Sequence, residues 1–396
     1  MRVAIIGQGY VGLTIAVGAA GAGHEVIGFD VNKELVSQLN SGVSHIEGIS
    51  GSVLKSFLST NKYTASTDAS VLNGCDVVVI AVPTPLTEAR DPDLSFVHAA
   101  VDLIQINVKS PTLVINESTS YPGTLRKEIA SRITGITHLY ASSPERVDPG
   151  NTQWGTKNTP RLIGGLTPEA VAKAKEFYST FCDTVIEVSS PEVAEAAKIF
   201  ENTFRQVNIA LVNEFAQIAD ALGISGREIL DAAATKPYGF MKFNPGAGVG
   251  GHCIPVDPTY LAYVANEVGV PATFIKRANE VNLEMPAYIV KRVTAGVGGT
   301  IKGKSVVVIG VAYKANVSDT RETPAASVID LLRKAGAIVE WHDPLVQSWR
   351  GESSTDLRAF EVAVVVTKHD GVSVDAIMKS DYVFDCTGLV TTTNGI

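Results

Sequence analysis

Cysteine is scarce in this sequence, with four residues among 396. The four cysteines show no C-x-x-C spacing and are Cys75, Cys182, Cys253 and Cys386. This spacing indicates neither a zinc site nor a disulfide framework, so we expect no bound metal. Three of them, Cys75, Cys182 and Cys386, lie beside apolar residues and are expected to be small buried hydrophobes. Reduced thiols are typical of the cytoplasm, where we expect this protein to act.

The sequence also lacks an excess of basic residues, and it lacks long apolar runs. The chain has 33 Lys and Arg against 41 Asp and Glu, a formal net charge of -8 at pH 7. This balance gives no general attraction for nucleic acid or for an anionic membrane surface. Apolar runs fall short of a membrane span, and Met1-Arg2 leads into strand-like sequence rather than a signal peptide. We therefore expect neither a nucleic acid nor a membrane as partner.

The apolar runs that are present are short and alternate with amphipathic segments. The chain is too long for one ordinary core, and its 45% hydrophobic residues can fill two or three domains. Within residues 1–190 the alternation is typical of a parallel sheet with crossover helices, because strands covered on both faces are rich in Val and Ile. The strands predicted in this part are 2–6, 25–30, 77–82, 112–117 and 139–142.

Residues 192–222 predict one unusually long helix, since helical periodicity continues without Pro or Gly until Gly223. Such a helix usually spans domains or packs on a partner subunit. A second helical stretch leads to residues 298–304, whose glycines and lysines indicate a hinge. A βαβ pattern then returns, with strands predicted at 305–310, 337–342, 361–367 and 382–385 and a helix near 325–335.

A glycine fingerprint, Gly7-Gln8-Gly9-Tyr10-Val11-Gly12, follows the first predicted strand and opens a helix. In this pattern Gly7 permits the tight turn, Gly9 lets backbone approach a pyrophosphate, and Gly12 allows close helix packing. The helix N-terminus offers free N–H groups to the phosphates. Asp30 ends the second strand, where its carboxylate can hold the adenosine ribose and repel a 2′-phosphate. The pattern predicts NAD rather than NADP, and a tight turn without ligand is the alternative.

Residues 81–85 leave another strand end, so we expect Pro83 and Thr84 to lie along the cofactor, with an ordinary turn as the alternative. Together the patterns predict an α/β protein with two Rossmann-like, doubly wound parallel-sheet domains joined by a central helical domain. The predicted divisions are 1–190 for the NAD-binding domain, 191–298 for the helical domain and 299–396 for the last domain.

A cysteine ends the glycine-rich loop 246–253, and Asp257 follows four residues later. Glycine lets the backbone turn sharply and approach a ligand, and a thiolate attacks carbonyl carbon readily. Cys253 is therefore a candidate nucleophile. Together with a nicotinamide oxidant, it suggests an alcohol oxidised through an aldehyde to an acid. The neighbouring His252 could lower the thiol pKa or contact substrate, and a packed histidine is the alternative.

Four further polar residues are candidates for the chemistry. Lys198 and Asn202 are four apart on the long helix, where the amine could stabilise an alkoxide and the amide an oxyanion. A solvated helix face is the alternative for this pair. Glu145 follows a strand and could act as a base for water, or lie in a surface turn. Thr119 also follows a strand and could bind substrate or a catalytic water, or cap a helix.

The last α/β lobe again joins strand to helix over residues 310–324, but it lacks the G-x-G-x-x-G pattern. Lys314 and Arg321 in this segment suit an anionic phosphate. We therefore expect the last lobe to bind a different nucleotide from the first, with a salt-bridged linker as the alternative.

These motifs together resemble the UDP-glucose/UDP-N-acetylhexosamine 6-dehydrogenase family over nearly the whole chain. The motifs that carry the resemblance are residues 7–12, 143–146, 198–202, 250–257 and 314–324. The resemblance implies a four-electron oxidation of a sugar C6 alcohol to a carboxylate, with two NAD used in succession. It implies that Cys253 traps the aldehyde as a thiohemiacetal, which is then oxidised to a thioester. It also implies a last lobe that binds UDP and a homodimer formed through the long helix.

The resemblance assigns roles to the remaining candidates. Lys198 and Asp257 would handle the alcohol proton through a water, and Asn202 would stabilise the oxyanion. Glu145 and Thr119 would assist hydrolysis of the thioester. The expected cofactor contacts are Gly7, Gly9, Tyr10, Val11, Gly12, Asp30, Pro83, Thr84 and Thr119. The expected substrate contacts are Glu145, Arg146, Lys198, Asn202, Arg205, Gly250, His252, Lys314 and Arg321.

The branch of the family is predicted from smaller features. His252 and residues 254–258 resemble the N-acetylhexosamine branch, and residues 233–240 resemble its UDP-N-acetylglucosamine members more than its UDP-N-acetylmannosamine members. Ala247 stands where these enzymes usually have Pro, and Asn244 replaces an aromatic residue common in the branch.

Three alternatives to this function stay open at the level of sequence. UDP-glucose is the main rival substrate. A β-hydroxyacid dehydrogenase would perform a single two-electron oxidation, but it needs neither a nucleophilic cysteine nor a second α/β lobe. A catalytically silent protein of the same fold would bind a UDP-sugar without forming NADH.

Overall fold

The structure is a computed structural model that describes residues 1–46, 48–148, 151, 153–251, 253–390 and 394–396. The chain forms two compact units, Met1–Glu201 with Thr259–Val268 and Asn202–Pro258 with Gly269–Ile396. The predicted three-domain division at residues 190 and 298 stays a prediction. In the described part of the chain, every helix is too short or too polar to cross a membrane.

Fourteen strands are described along the chain. They are β1 (Arg2–Ile6), β2 (Glu25–Phe29), β3 (Tyr63–Ser66), β4 (Val77–Ile80), β5 (Leu113–Asn116), β6 (Leu139–Ser142), β7 (Arg161–Gly165), β8 (Val185–Glu187), β9 (Ser305–Ile309), β10 (Ile338–His342), β11 (Ser348–Trp349), β12 (Glu352–Ser353), β13 (Val362–Val365) and β14 (Tyr382–Asp385).

The described α-helices number eleven. They are α1 (Tyr10–Gly21), α2 (Lys33–Asn40), α3 (Gly51–Ser59), α4 (Ser95–Asn107), α5 (Pro168–Tyr178), α6 (Pro191–Ala221), α7 (Gly226–Ala234), α8 (Asp257–Glu267), α9 (Thr273–Gly296), α10 (Pro324–Lys334) and α11 (Val374–Ile377). The long helix predicted from residue 192 to 222 is α6, whose 31 residues begin one residue earlier at Pro191.

The first unit is built on an eight-stranded sheet in the order β3-β2-β1-β4-β5-β6-β7-β8. The first six positions, 3-2-1-4-5-6, are the doubly wound order that binds dinucleotides. Val3 and Ile5 of β1, with Val79 of β4, face a core completed by Leu13 and other apolar residues of α1. Each such fully buried side chain stabilises the fold by about 1.5–3 kcal/mol.

One strand pair of this sheet departs from the predicted parallel arrangement. β7 runs antiparallel to β6, with Ser142 opposite Gly164. The strands β3, β7 and β8 were not predicted either, because they are short and carry polar residues among the apolar ones. The α/β prediction itself is confirmed.

The second unit contains a parallel four-stranded sheet in the order β10-β9-β13-β14. Its central strand β9 is buried on both faces, because Val306 and Val308 pack in one cluster and Val307 and Ile309 in another. β11 and β12 pair as a short antiparallel hairpin. The helix α10 starts with Pro324 after the N-cap Thr323, whose hydroxyl accepts from the N–H of Ala325.

Candidate active site

The predicted cofactor residues of the first unit follow neighbouring parallel strands at their carboxyl ends. Ile6 of β1 lies opposite Phe29 of β2 and Ile80 of β4. Ile80 in turn lies opposite Asn116 of β5. Residues 7–12, Asp30, 83–84 and 119 therefore share one edge of one sheet, which is where such folds bind nucleotides.

The glycine fingerprint has a different physical reason at each glycine. Gly7 has a positive φ of 91°, and a Cβ there would lie 2.4 Å from the carbonyl oxygen of Ala81. A Cβ at Gly12 would lie 1.8 Å from the carbonyl oxygen of Gly7. A Cβ at Gly9 would meet no heavy atom within 4 Å. Gly7 and Gly12 are therefore required by the fold, whereas the space beside Gly9 is open to a ligand.

Two side chains that sequence reasoning missed support this loop. Gln8 is fully buried, and its Nε2 donates to the carbonyl oxygen of Ile5 at 3.1 Å. Tyr63 of β3 donates its hydroxyl to Gln8 Oε1 at 2.8 Å. A Cβ at Gly28 would lie 2.3 Å from that same Oε1. Because residue 28 is glycine, there is space for the Gln8 side chain, which supports the loop through its hydrogen bond to Ile5.

Asp30 lies at the end of β2 beside this loop and is half-buried. Its Oδ2 accepts a 2.8 Å hydrogen bond from the N–H of Gln8, and its Oδ1 accepts from the N–H of Asn32 at 2.9 Å. The N-cap of α1 is Gly9, which makes no side-chain cap hydrogen bond, and a helix N-terminus of this kind is suited to a phosphate. An open backbone cradle, a helix N-terminus and an adjacent carboxylate fit a dinucleotide.

The next two strand ends are tied together by Ser118. Its hydroxyl accepts from the N–H of Val82 at 2.9 Å, which fixes the segment leading to Pro83 and Thr84. Pro83 is exposed, and Thr84 and Thr119 are half-buried. Buried Asn116 donates to the carbonyl oxygen of Ser118 at 3.1 Å and so orders the turn at Thr119. The structure thus brings these predicted residues to the edge that the glycine loop occupies.

Glu145 follows β6 and is buried against a cation. Arg161 of β7 donates to Glu145 Oε2 at 2.6 Å. The N–H groups of Arg146 and Val147 donate to Glu145 Oε1 at 2.7 and 2.9 Å. Burial by itself would raise the pKa of Glu145, but the charge of Arg161 and the two N–H groups outweigh it and hold the pKa below its ordinary value. The carboxylate is therefore ionised and a weak base.

Arg146, predicted to contact substrate, is engaged within its own unit. Its Nη2 lies 2.6 Å from Glu201 Oε1, and its Nη1 donates to the carbonyl oxygen of Pro160 at 2.7 Å. A substrate phosphate at Arg146 would have to share the guanidinium with Glu201.

Lys198 lies half-buried on α6, one turn beyond a buried carboxylate that the sequence did not single out. Glu195 accepts from the N–H of Gly123 at 2.7 Å and from the N–H of Leu125 at 2.8 Å. Gly123 and Leu125 lie shortly after Thr119 in the sequence. Glu195 therefore joins the segment after Thr119 to the helix that carries Lys198.

In the second unit the predicted catalytic residues Asn202, Cys253 and Asp257 form a connected group. Asn202 Nδ2 donates to Asp257 Oδ2 at 2.6 Å, and both side chains are buried. The N–H of Asp257 donates to the carbonyl oxygen of Cys253 at 2.8 Å, which closes the turn that leads into α8. Cys253 is half-buried, and its thiol is not part of a disulfide. Arg205, predicted to contact substrate, lies exposed further along α6.

The glycine loop before Cys253 is held by surrounding groups of the same unit. The N–H of Gly246 donates to Asn213 Oδ1 at 2.9 Å, and the N–H of Gly251 donates to the carbonyl oxygen of Arg321 at 2.9 Å. A Cβ at Gly250 would lie 2.7 Å from Cβ of Tyr313. Packing thus requires glycine at 250, where we expected a substrate contact. His252 lies outside the described residues.

In the last lobe Lys314 is half-buried and Arg321 is exposed, in the loop between β9 and α10. Arg321 forms a two-pronged ion pair with Asp319, with Nε to Oδ1 at 2.9 Å and Nη2 to Oδ2 at 2.5 Å. The Asp319 hydrogen bond raises the pKa of Arg321 above its ordinary value. A phosphate bound at this loop would therefore meet a guanidinium held in place by its neighbour.

Asp343 ends β10 as Asp30 ends β2, yet its environment differs. Asp343 is fully buried, and its Oδ2 accepts from the N–H groups of Val311 and Ala312 at 2.9 and 3.0 Å. His369 Nε2 lies 3.0 Å from the same oxygen. Because the N–H groups after β9 and His369 already bind this buried carboxylate, Asp343 is not available to a ribose. This agrees with the expectation that the two lobes bind different nucleotides.

The three cysteines outside the glycine loop are buried with free thiols. Burial raises the pKa of Cys75 and of Cys182 to about 11 and the pKa of Cys386 well above its ordinary value. Thiols in this state are poor nucleophiles, as expected from their apolar sequence neighbours. Among the cysteines, Cys253 is the one that is partly accessible.

Comparison with known proteins places the chain in a family. The NAD binding domain of the UDP-glucose/GDP-mannose dehydrogenase family matches residues 1–182. The central domain of the family matches residues 192–284, and its UDP binding domain matches residues 307–392.

Individual relatives match over nearly the whole chain. A protein named UDP-N-acetyl-D-mannosamine dehydrogenase from Pyrococcus horikoshii is 35% identical over 96% of this chain and 93% of its own length. A UDP-N-acetyl-D-glucosamine 6-dehydrogenase from Pseudomonas aeruginosa is 33% identical over 88% of this chain and 84% of its own length. The structure of a UDP-D-ManNAc dehydrogenase from Pyrococcus horikoshii has a TM-score of 0.90 at 31% identity, covering 100% of this chain and 99% of that one. The chain belongs to the UDP-glucose/GDP-mannose dehydrogenase family and is an NAD-binding nucleotide-sugar dehydrogenase.

Proposed function

We propose that this protein oxidises the C6 alcohol of a UDP-N-acetylhexosamine to the carboxylate, with two NAD reduced in succession. The observation that carries the proposal is the group Asn202, Asp257 and Cys253. The Asn202 amide donates to the Asp257 carboxylate at 2.6 Å, and the backbone N–H of Asp257 donates at 2.8 Å to the backbone carbonyl of Cys253, whose thiol is outside any disulfide. A two-electron alcohol dehydrogenase has no use for the thiol. Relatives named for N-acetylhexosamines match the chain over most of its length.

The first oxidation removes a hydride from C6 and a proton from its hydroxyl. Bound NAD supplies the hydride acceptor, and residues 7–12 with Asp30 would hold it. Lys198 stabilises the developing alkoxide by its positive charge, and Asp257 accepts the proton through a water. The Asn202 amide fixes the direction of the Asp257 carboxylate while this happens.

The second oxidation begins when the Cys253 sulfur adds to the aldehyde carbon to form a thiohemiacetal. Transfer of a hydride from this carbon to a second NAD, with loss of the hydroxyl proton to solvent, gives the thioester. Water then attacks the thioester carbon, the carbon–sulfur bond breaks, and the acid and the thiol are released. The covalent bond keeps the aldehyde in place while the spent cofactor is exchanged. For this chemistry Cys253 must be a free thiol, and the reducing cytoplasm, where we place the enzyme, keeps it so.

Between the two N-acetylhexosamine epimers we propose UDP-N-acetylglucosamine. Relatives named for either epimer match this chain at 33% to 35% identity, so overall similarity does not separate them. The proposal therefore depends on residues 233–240, which resemble the UDP-N-acetylglucosamine members. Comparing kcat/KM for UDP-N-acetylglucosamine, UDP-N-acetylmannosamine and UDP-glucose tests it. We expect the first sugar to lead by at least tenfold, and a lead for either other sugar would overturn the choice.

We also propose that the enzyme is a homodimer formed through α6. Large apolar residues are exposed along this helix and directly after it at spacings of four and seven residues, with 42% to 67% of each residue accessible: Phe200, Phe204, Leu211, Ile218 and, one residue past the helix end, Leu222. Such spacing forms a seam for a second helix. Light scattering on Leu211→Glu should show a monomer, whereas Leu389→Glu, an equally exposed leucine of the last lobe, should remain dimeric. A dimeric Leu211→Glu would contradict this interface.

A further inference from the structure

Arg161 is a buried cation that the proposed reaction has not yet used. Its side chain is 4% exposed. Nη2 donates to Glu145 Oε2 at 2.6 Å, and Nη1 lies 2.9 Å from Glu117 Oε2. Nη1 also lies 3.3 Å from the carbonyl oxygen of Ser143, two residues before Glu145. The guanidinium therefore contacts both the side chain of Glu145 and the backbone that leads to it.

The direction of β7 explains how Arg161 reaches this place. β7 is antiparallel to β6, with Ala141 opposite Gly165 and Ser142 opposite Gly164. Continuing this register past the end of β6 places Arg161 opposite Glu145. In a parallel arrangement the first residue of the strand would lie at the other edge of the sheet, away from the strand ends that hold the cofactor and catalytic residues.

The other partners of Arg161 fix its own position. Tyr178 of α5 donates its hydroxyl to Glu117, and the Arg161 guanidinium lies 4.5 Å from the centre of the Tyr178 ring. A planar guanidinium has five N–H donors in fixed directions, so it can hold two carboxylates and a carbonyl in one set geometry, whereas the three donors of an ammonium group rotate. The Arg161 guanidinium is thus held by the Tyr178 ring and by the carboxylates of Glu117 and Glu145.

We infer that Arg161 is the positioning residue for Glu145, and that it fixes this carboxylate as an oriented anion that directs the water attacking the Cys253 thioester. This inference rests on the proposed function. Glu145 accepts from Arg161 and from two backbone N–H groups, so its role is to accept a hydrogen bond from water and orient it. Without Arg161 the carboxylate loses its only cation among the described contacts and the donor that orients Oε2. Hydrolysis then slows, whereas the two oxidations, which use other residues, continue.

The test is Arg161→Met, studied with UDP-N-acetylglucosamine and NAD in the full-length enzyme. We expect a rapid burst of two NADH per subunit, followed by a steady-state kcat at least tenfold below the wild-type value with KM changed less than threefold. Mass spectrometry of the quenched enzyme should show a sugar-acid adduct on Cys253 in most subunits. A merely structural role would lower the amount of active enzyme without accumulating this adduct.

Two further variants keep the test decisive if Arg161→Met folds poorly. Glu117→Gln keeps the Arg161–Glu145 pair and should hydrolyse the thioester within threefold of the wild-type rate. Glu117→Gln/Arg161→Met removes one charge of each sign, so the cluster keeps its net charge, and it should accumulate the adduct. Wild-type hydrolysis rates in both Arg161 variants, with two NADH per sugar in the wild-type enzyme, would overturn the Arg161 inference alone. One NADH per sugar in the wild-type enzyme would overturn the proposed function as well.

Discussion

Asn202 donates a 2.6 Å hydrogen bond to Asp257, across 55 residues of sequence. Both side chains are buried, and Asp257 begins the helix that follows Cys253. A buried carboxylate needs such a partner, because an unpaired one is costly to keep ionised. The contact therefore fixes the direction of one predicted catalytic group through another, and it ties both to the turn that carries the thiol.

The thiol gives the first prediction. Cys253→Ser should abolish net formation of the acid, lowering kcat by about a thousandfold or more, because a hydroxyl is a far weaker nucleophile at neutral pH. Binding of the UDP-sugar should change less than threefold, as measured by calorimetry. Uronic acid formed at the wild-type rate by this variant would disprove the thioester route.

A second prediction concerns the choice of cofactor. Asp30→Asn removes the negative charge beside the ribose while keeping a side-chain oxygen that can accept from the N–H of Gln8. We expect NAD to bind about tenfold more weakly, which corresponds to about 1.4 kcal/mol. Binding of NADP should improve relative to NAD, because the repulsion of its 2′-phosphate is gone. Fluorescence titration with both cofactors measures this, and an unchanged ratio of the two affinities would remove Asp30 from the ribose.

The glycine loop offers a matched pair of substitutions for a third prediction. Gly12→Ala places a Cβ 1.8 Å from the carbonyl oxygen of Gly7, so the loop must move, and we expect a loss of about 1–3 kcal/mol in the free energy of unfolding. Gly9→Ala meets no heavy atom within 4 Å, and the φ of -69° at Gly9 suits alanine.

We therefore expect Gly9→Ala to keep the wild-type melting temperature and to lose at least tenfold in NAD affinity. Thermal unfolding and cofactor titration of both variants distinguish the two effects. Wild-type NAD affinity in Gly9→Ala would show that the cofactor does not use the open space beside residue 9.

Glu195 gives a prediction about pH and stability. Burial raises the pKa of Glu195 from 4.5 to about 8, although backbone N–H groups oppose this rise. A raised pKa means that the folded protein favours the protonated form, so the stability from this group is complete below pH 4.5 and is lost as pH rises through 8. A tenfold difference in proton affinity between the folded and the unfolded chain corresponds to about 1.4 kcal/mol.

The uncharged Glu195→Gln variant lacks this titration. Relative to the variant, the wild-type protein should lose stability steadily between about pH 5 and about pH 8, as measured by thermal unfolding at several pH values. Melting curves that stay parallel over this range would show that Glu195 does not titrate there.

Much of the fold could be predicted because burial leaves a clear pattern. Strands such as Val77–Ile80 and Val362–Val365 consist of apolar residues buried on both faces, and α6 has no Pro or Gly after its first residue. The direction of β7 could not be predicted, since the residues of Arg161–Gly165 do not show whether the strand runs parallel or antiparallel to its neighbour. The pairing of Arg161 with Glu145 was missed for the same reason, because it depends on the antiparallel direction.

The candidate site was predictable where a motif has a single physical explanation. Gly7 and Gly12 are required by close backbone contacts at the turn that the G-x-G-x-x-G pattern forms. Gly250 is different, because its contact is with Tyr313, which is far away in sequence. Likewise Asp30 and Asp343 both end the second strand of a lobe, and only the surrounding N–H donors reveal that Asp343 is already occupied.

The central claim is a four-electron oxidation through Cys253, and counting NADH tests it most directly. Purified enzyme would be given limiting UDP-N-acetylglucosamine and excess NAD, with NADH measured by absorbance and remaining sugar by chromatography. We predict two NADH for each sugar consumed and one uronic acid as product. One NADH per sugar, with an aldehyde as product, would contradict the account.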